Sequence, residues 1–348
     1  MKPLHSLSWQ KFVLNLRNPF RLSYGVSETR HAFWLRLPHD DGWGEGTIPP
    51  YYGVAEAEME QYWHEKAEQM GQLPESLDEI GPFVGAEGPA PARCALDLAL
   101  HDRLGKQLGL PLYQLLGLPT PAVIPSSFTI AIDTPESMAK LALDIPQAKV
   151  LKIKLGSDDD TARIRAVREA RPDVSLRVDA NAGWTVENAV EHIRALEPYN
   201  IELIEQPLPK EQIDQMGDLQ KATEIPIVAD ESVQTMSDIE RLAATGVRGV
   251  NLKLMKMGGL VPGVAMLRRA RELGLLIMLG CMIETSLGTT AMAHLTGLAQ
   301  WVDLDAPLLI SNDPFDGLTY SQNLGVQVPN RVGIGATYKT HQPLEEEA

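Results

Sequence analysis

Cysteine is scarce in this chain, and so is positive charge. Only two of the 348 residues are cysteines, Cys94 and Cys281, and both lie inside apolar runs. With no disulfide framework and no cysteine spacing typical of a metal site, the sequence indicates a reducing compartment. The 31 lysines and arginines face 46 aspartates and glutamates, which gives a net charge of −15. This balance argues against nucleic acid and anionic membranes as partners, since both require a basic face.

Long apolar runs are also absent. The first residues, MKPLHSLSWQ, lack the apolar stretch of a signal peptide. The longest strongly apolar run, Leu275 to Ile283, is interrupted by Gly280 and is too short to span a bilayer. We therefore expect a cytoplasmic protein without a membrane partner. The length of the chain allows one large core, or a barrel with a smaller partner domain.

The pattern of apolar and polar residues changes near residue 118. Before it, the patterns predict antiparallel strands and helices at about Leu7–Leu16, His31–Leu37, Ala55–Met70 and Ala92–Leu108. After it, short aliphatic runs alternate with amphipathic helices, which predicts an α/β fold with a (β/α)8-type barrel. We therefore expect an α+β capping domain over residues 1–118 and a catalytic barrel over 119–318. Residues 319–348 are expected to pack back on the capping domain and complete it.

The predicted barrel has eight strand candidates. They are Ile124–Ile132, Val150–Leu155, Ser175–Asp179, Ile201–Glu205, Ile225–Asp230, Gly249–Leu254, Leu275–Gly280 and about Val302–Asp305. Helices are expected between them, for example at Asp160–Ala170, Val186–Leu196 and Pro262–Leu273.

Charged residues recur at nearly even intervals along these strands. Lys154, Asp179, Glu205, Asp230 and Lys253 follow one another after 25, 26, 25 and 23 residues, each at the carboxyl end of an apolar run. A strand with its return helix and two loops takes about that many residues. Successive parallel strands would therefore bring these five side chains to one end of the barrel.

Three of these residues are carboxylates from neighbouring strands. Asp179, Glu205 and Asp230 supply only oxygen ligands, and no histidine or cysteine stands among them. This donor set suits Mg²⁺ and disfavours zinc. Each acid could instead cap the helix after its strand, but the coincidence in three consecutive units favours a metal site.

Lysines flank the acids on both sides. Lys152 and Lys154 share one face of a strand and should point into the barrel, where burial and mutual repulsion would lower their pKa. A lowered pKa suits a general base near neutral pH. Lys253 is expected across the barrel mouth from Lys154. One amine could then remove the proton α to a metal-bound carboxylate while the metal stabilises the enediolate. The other amine could return a proton to the opposite face. Lys256 is expected to begin the loop at Gly258-Gly259.

As a set, these motifs resemble those of the enolase superfamily, and specifically its muconate-lactonizing subgroup. The matching stretches are Lys152-Ile-Lys154, Asp179-Ala-Asn181, Glu205-Gln-Pro207, Asp230-Glu-Ser232 and Asn251-Leu-Lys253 with Gly258-Gly259. The resemblance covers nearly the whole chain. It implies Mg²⁺ on Asp179, Glu205 and Asp230, and acid–base roles for Lys154 and Lys253.

One further motif resembles the dipeptide epimerases of that subgroup, including the L-Ala-D/L-Glu epimerases. Asp303-Leu304-Asp305, expected on one face of the eighth strand, resembles the Asp-x-Asp that holds the ammonium group of a dipeptide. Two carboxylates are suitable partners for the ammonium group, because a buried cation needs carboxylate partners. The same resemblance implies substrate contacts from Thr129, Lys152, Cys281 and Ile283, with Cys281 making a contact of shape. We therefore expect an Mg²⁺-dependent isomerase that inverts the α-carbon of the C-terminal residue of an L,L-dipeptide.

The capping loop departs from this pattern. L-Ala-D/L-Glu epimerases resemble one another in carrying an arginine there for the glutamate side chain. In this chain the loop is about Leu22–Thr29 and the alignable position is Gly25, flanked by Arg21 and Arg30. A hydrophobic or cationic side chain on the dipeptide is therefore as compatible with the sequence as glutamate.

Other functions stay open. N-acylamino-acid racemases, o-succinylbenzoate synthases and muconate cycloisomerases share the fold but act on substrates without a free ammonium. Acid-sugar dehydratases and mandelate-type racemases usually place a histidine on the seventh strand, whereas His294 falls in the following helix and is expected to be a packed or surface residue. A Schiff-base aldolase using Lys154 or Lys253, and a barrel that only binds ligands, are the remaining alternatives. A symmetric homo-oligomer is the expectation for assembly.

Overall fold

The amino-terminal part of the chain forms a three-stranded antiparallel sheet followed by helices. The computed structural model describes residues 7–23, 25–47, 50–157 and 159–339. The elements of this part are β1 (Ser8–Leu22), β2 (Gly25–Arg36), β3 (Trp43–Thr47), α1 (Glu56–Ala67), α2 (Leu77–Val84), α3 (Ala90–Leu108) and α4 (Leu112–Leu115). β1 and β2 are longer than predicted because their pairing continues, with a register shift between Asn15 and Phe20, beyond the alternating segments.

An eight-stranded parallel sheet follows, with its strands in sequence order. The strands are β4 (Phe128–Ile130), β5 (Val150–Lys154), β6 (Ser175–Asp179), β7 (Ile201–Glu205), β8 (Ile227–Ala229), β9 (Gly249–Leu252), β10 (Leu276–Gly280) and β11 (Trp301–Asp303). The helices between and after them are α5 (Pro135–Asp144), α6 (Asp160–Ala170), α7 (Val186–Leu196), α8 (Ile213–Lys221), α9 (Met236–Thr245), α10 (Leu254–Met257), α11 (Leu260–Glu272), α12 (Ser286–Ala293) and α13 (Ala306–Leu309). The predicted α/β barrel fold with an α+β cap is confirmed.

The first barrel strand is shorter than the predicted Ile124–Ile132. Pro125 has no N–H to donate, and Pro125 and Ser126 bridge to Gly325 and Val302 instead of pairing with β5. The bridge from Ser126 to Val302 on β11 closes the barrel.

Strand alternation on β5 separates its apolar and charged side chains. Leu151 and Ile153 are fully buried in the core between the barrel and its helices. Lys152 and Lys154 point the other way, into the barrel, where their ammonium groups meet carboxylates. The pattern that places apolar residues against the helices therefore also delivers the lysines to the site.

The chain after the barrel returns to the first domain. Its short strands are β12 (Phe315–Asp316), β13 (Thr319–Tyr320), β14 (Val326–Gln327) and β15 (Thr337–Tyr338). Tyr338 stacks on Trp43 of β3 with ring centroids 5.5 Å apart, and Phe315 meets Trp34 edge-on at 5.7 Å. Residues 1–6 of the predicted capping domain and 340–348 of the predicted C-terminal segment lie outside the described residues.

Buried carboxylates join the two domains. Asp97 of α3 accepts hydrogen bonds from the backbone N–H groups of Leu260 and Val261, at the start of α11. Glu45 of β3 accepts bonds of 2.8 and 2.6 Å from the backbone N–H and hydroxyl of Thr285. Burial raises the pKa of Glu45 to about 7. These contacts fix the cap over the carboxyl ends of the barrel strands.

His294 is a packed residue at the end of α12, as expected, and its surroundings favour the neutral ring. Its Nε2 lies 3.0 Å from the carbonyl of Ile334, and its Nδ1 accepts from the backbone N–H of Tyr113. Burial lowers the pKa of His294 to about 4.

We therefore expect an acid-sensitive contribution of His294 to stability. Below about pH 6.5 the His294 side chain binds a proton in the unfolded chain but not in the folded chain. Its contribution to the free energy of unfolding therefore decreases as the pH is lowered, by about 2 kcal/mol at pH 5. Urea unfolding of wild type and His294→Gln between pH 5 and 7.5 measures it. The stability difference between the two proteins should shrink by that amount towards pH 5, and parallel profiles would contradict the prediction.

Within the described parts of the chain, no helix has both the length and the apolar character needed to cross a membrane.

Candidate active site

The predicted site residues converge at the carboxyl ends of the barrel strands, under the cap. The cavity there is lined by, among others, Thr129, Lys152, Lys154, Asp230, Lys253, Cys281, Ile283, Asp303 and Asp305. Asp179 and Glu205 are fully buried, and their carboxylates lie 3.0 and 2.9 Å from Lys152 Nζ. The structure therefore brings all eleven predicted residues to one place.

The three acids form a compact oxygen cluster. One carboxylate oxygen each from Asp179, Glu205 and Asp230 lies within 4.8 Å of the others, and all three side chains are buried. Glu205 Oε2 lies near Lys152 Nζ but lacks hydrogen-bond geometry, so this buried oxygen has an unsatisfied lone pair. An oxygen-only donor set with an unsatisfied buried carboxylate oxygen fits a divalent cation such as Mg²⁺.

The protonation of the acids differs in spite of their proximity. Burial alone would raise the pKa of Asp179, but the ammonium groups of Lys154 and Lys152 lower it to about 2. Burial is likewise outweighed at Asp230, where Lys253 and Lys256 lower the pKa. Burial and the Asp179 charge raise the pKa of Glu205 to about 8. Glu205 is thus the acid least compensated by the protein's own cations.

The ammonium group of Lys152 is surrounded by carboxylates. Besides Asp179 and Glu205, its ammonium contacts Asp303 at 2.6 Å. Burial acts to lower the pKa of Lys152, but the charges of Asp303, Glu205 and Asp179 raise it well above its ordinary value. The expectation of a lowered pKa for Lys152 is therefore wrong, because it counted the neighbouring ammonium group and not the acids from other strands.

The two proposed acid–base lysines each meet one acid of the triad. Lys154 Nζ lies 2.7 Å from Asp179 Oδ2, and Lys253 Nζ lies 2.7 Å from Asp230 Oδ2. Lys154 ends the second strand of the barrel and Lys253 follows the sixth, so the two stand across the mouth. Burial acts to lower the pKa of Lys253, but the charge of Asp230 raises it.

The sequence predicted that Lys256 begins a loop, but in the structure it belongs to α10. Its ammonium contacts Asp230 Oδ1 at 2.5 Å and the carbonyl oxygen of Asn251 at 3.0 Å. Asp230 therefore has Lys256 on one carboxylate oxygen and Lys253 on the other. A four-residue helix is hard to read from sequence, and the signal here was only the three-residue spacing of the two lysines on one helical face.

Asp303 and Asp305 lie together. The sequence predicted both on the eighth strand, but Asp305 lies beyond the end of β11. Asp303 accepts from Lys152 and, at 2.6 Å, from the hydroxyl of Ser127. Asp305 accepts from the backbone N–H of Thr129 at 2.7 Å, and within the described residues no cationic nitrogen pairs with it. Burial and the Asp303 charge raise the pKa of Asp305 to about 6.

Amide and acid side chains lie next to the acid triad. Asn251 donates to Glu205 Oε1 at 2.7 Å, and Asn181 donates to Glu231 Oε1 at 3.1 Å. Burial and the Asp230 charge raise the pKa of Glu231 to about 7. Sequence reasoning quoted these residues inside motifs but gave them no role, although each stands within two positions of a charged site residue.

The cap supplies the outer wall of the cavity. Phe20 and Leu22 from β1, Arg30 from β2, and Tyr51 and Tyr52 line it. Arg21, by contrast, is exposed. The sequence left open whether either flanking arginine points inward, and in the structure Arg30 lines the cavity. Much of the predicted loop Leu22–Thr29 is β-hairpin, and its Tyr24 lies outside the described residues.

Comparison with known families agrees with this geometry. Residues 9–117 match the family of the mandelate racemase/muconate lactonizing enzyme N-terminal domain, and residues 137–342 match the enolase C-terminal domain-like family. The chain belongs to the enolase superfamily. Its placement there by motif resemblance is confirmed.

Individual relatives point to one reaction class. An L-Ala-D/L-Glu epimerase of Bacteroides thetaiotaomicron is 38% identical over 314 residues, which cover 88% of this chain and 81% of the relative. A hydrophobic dipeptide epimerase of Roseobacter litoralis is 38% identical over 334 residues, which cover 93% and 96%. The crystal structure of a dipeptide epimerase of Cytophaga hutchinsonii with Mg and the dipeptide D-Ala-L-Val has a TM-score of 0.89 at 30% identity, covering 97% of each chain. All three are isomerases, in agreement with the class expected from the sequence.

Proposed function

We propose that this enolase-superfamily member is an Mg²⁺-dependent dipeptide epimerase that inverts the α-carbon of the C-terminal residue. The observation on which the proposal rests is the pair Lys154 and Lys253, which stand on opposite sides of a buried acid triad, next to the carboxylates Asp303 and Asp305. Two amines that face one carbon from opposite sides can remove a proton on one side and return it on the other.

Asp179, Glu205 and Asp230 are the residues that would hold the ion. When bound, Mg²⁺ would offset the negative charge that develops on the substrate carboxylate as the α-proton leaves. Lys152, whose raised pKa keeps it charged, would hold the same carboxylate by a charge-assisted hydrogen bond.

Lys154 and Lys253 would exchange the proton. For an amine to act as a base it must be neutral and stand within about 3–3.5 Å of the reacting carbon. Asp230 can pair either with Lys253 or with a cation, and release from Asp230 would remove the charge that raises the pKa of Lys253. Lys256 keeps the other oxygen of Asp230 occupied in both cases.

The acids at the end of the eighth strand favour a dipeptide over an N-acyl amino acid. Asp303 is paired with Lys152, but Asp305 is buried, receives its hydrogen bonds from Thr129, and has no cationic partner among the described residues. A substrate ammonium would supply its missing cation, whereas an acyl group would leave a carboxylate buried without one, at a desolvation cost. Thr129, Cys281 and Ile283 would complete the contacts to the dipeptide.

Removal of the Asp305 charge should therefore weaken dipeptide binding selectively. A hydrogen bond to a charged group contributes about 1.5–3 kcal/mol, so the KM for an L,L-dipeptide should rise about 10- to 100-fold in Asp305→Asn. The KM for the N-acetylated dipeptide should change little. Asp316→Asn, at an exposed position of β12, is the matched control. Equal effects on free and acetylated substrates would contradict the ammonium contact.

The function itself is tested by solvent exchange. L,L-dipeptides incubated in D₂O with Mg²⁺ should take up one deuterium at the α-carbon of the C-terminal residue and give a mixture of epimers, measured by mass spectrometry and chiral chromatography. Uptake with N-acyl amino acids but not with dipeptides would assign the racemase function instead. Covalent trapping by borohydride would indicate a Schiff-base aldolase.

A further inference from the structure

We propose that Asn181 and Glu231 are positioning residues that accept hydrogen bonds from the water molecules on the metal ion and so fix its coordination shell. This role rests on the metal site of the proposed function and is independent of which substrate binds. Both side chains are buried beside the acid triad, with exposed fractions of only 5% and 3%. Neither makes an ion pair with a lysine, in contrast to Asp179 and Asp230.

Buried oxygen atoms without a hydrogen-bond partner gather around the triad. Within the described residues, one belongs to the triad itself and three belong to neighbouring side chains: Glu205 Oε2, Asn181 Oδ1, Glu231 Oε2 and Asn251 Oδ1. All four atoms are acceptors. Because an unpaired buried acceptor costs free energy, this arrangement indicates an occupant that brings donors or positive charge.

Two hydrogen bonds fix the place of Asn181. Its backbone N–H donates to Asp179 Oδ1 at 2.9 Å, and its side-chain Nδ2 donates to Glu231 Oε1 at 3.1 Å. The second bond also decides which way the amide is turned, because an amide oxygen in the place of Nδ2 would face a carboxylate oxygen. The acceptor of Asn181 that remains without a partner is therefore Oδ1.

Glu231 joins this amide to the opposite side of the triad. It directly follows the ligand Asp230 in the chain, just as Asn181 follows Asp179 by two residues. One Glu231 oxygen accepts from Asn181 and the other has no partner among the described residues. The pair therefore bridges the loops of the first and third acids, and both of its members line the cavity.

A hydrated magnesium ion would supply the donors that these two oxygens need. Mg²⁺ prefers octahedral coordination by oxygen and keeps several waters in protein sites. The triad offers one oxygen from each of its three acids, and in the described part of the chain Glu231 lies outside that group. Its contact with the same ion would therefore run through water. Water on a cation is a stronger donor than free water, because the charge weakens its hold on the proton.

The experiment measures Mn²⁺ binding in the absence of substrate, by electron paramagnetic resonance. Glu231→Gln keeps the hydrogen bond to Asn181 but, whichever way the two amides turn, replaces one of the two free acceptors by an N–H donor. Its Kd for Mn²⁺ should rise about 10- to 100-fold, the usual effect of losing a partner that orients a metal ligand. Glu187→Gln, at an exposed position of α7, is the matched control and should bind Mn²⁺ as wild type does.

A double variant tests the arrangement of the acceptors. Asn181→Asp with Glu231→Gln reverses the hydrogen bond between the two side chains, keeps their total charge and leaves one free oxygen on each. Its Kd for Mn²⁺ should return to within about threefold of wild type. Water-proton relaxation should show faster exchange of the water on bound Mn²⁺ in Glu231→Gln, and the wild-type rate in the double variant.

The other outcomes would overturn the proposal, each for a different reason. Weaker binding with unchanged water exchange would mean that Glu231 acts only through its charge. Unchanged Mn²⁺ binding with a raised KM for dipeptides would assign the free oxygens to a substrate donor, and an unfolded Glu231→Gln protein would mean that the bridge serves the fold. All three would leave the epimerase function intact, whereas absence of Mn²⁺ binding to wild type would also overturn the metal site of that function.

Discussion

Lys154→Ala should stop proton removal from one epimer of a dipeptide substrate, and Lys253→Ala should stop it from the other. The two amines stand after the second and sixth strands of the barrel, so each reaches only one face of the α-carbon. Each variant should lose at least about 1,000-fold in deuterium uptake from its own epimer, within the range of general acid–base catalysis. The measurement is single-substrate exchange in D₂O, started separately from the L,L- and the L,D-dipeptide.

Net epimerisation should be lost in both variants, but exchange should survive from one starting epimer in each, and the surviving epimer should differ between them. Lys140→Ala, at an exposed ion pair of α5, is the matched control and should leave exchange unchanged. Full activity of both site variants, or the same residual epimer in both, would exclude the two-base assignment.

The meeting of the three acids could be predicted from the sequence because each strand–helix unit of the barrel repeats the same geometry. Each strand–helix unit returns the chain to the same end, so Asp179, Glu205 and Asp230 meet once their strands are recognised. Ser175–Asp179 and Ile201–Glu205 have the predicted bounds. Period-two alternation on β5 likewise fixed the inward direction of Lys152 and Lys154.

The rest of the site depends on contacts between distant segments, which periodicity does not report. The raised pKa of Lys152 arises from Asp303, 151 positions later in the chain. Asp305 shares the cavity with Asp303 only because the chain leaves β11 in a helical turn, where strand alternation no longer applies. Arg30 enters the cavity because the β1–β2 pairing extends beyond the alternating residues, and no local signal marks that extension.

Replacement of Glu205 should weaken metal binding without lowering the stability of the metal-free protein. Glu205 supplies one of three carboxylates to the oxygen cluster, so Glu205→Gln should weaken Mg²⁺ or Mn²⁺ binding at least about 100-fold and remove turnover. In the metal-free protein, by contrast, the Glu205 carboxylate is expected to lower the stability of the fold. Burial raises the pKa of Glu205 to about 8, so its ionisation opposes folding between about pH 5 and 8. At pH 8 the metal-free Gln variant should be at least as stable as metal-free wild type.

Metal titration followed by urea unfolding checks both halves of this prediction. At 100 times its Kd, Mn²⁺ should stabilise wild type by about 2.7 kcal/mol, and the same concentration should add less than about 0.5 kcal/mol to Glu205→Gln. Glu202→Gln, at the far end of the same strand and paired with Arg177, is the matched control and should bind Mn²⁺ normally. A variant that unfolds more easily with and without metal would mean that Glu205 serves the fold. A variant with unchanged Mn²⁺ affinity would mean that the cluster does not hold the ion.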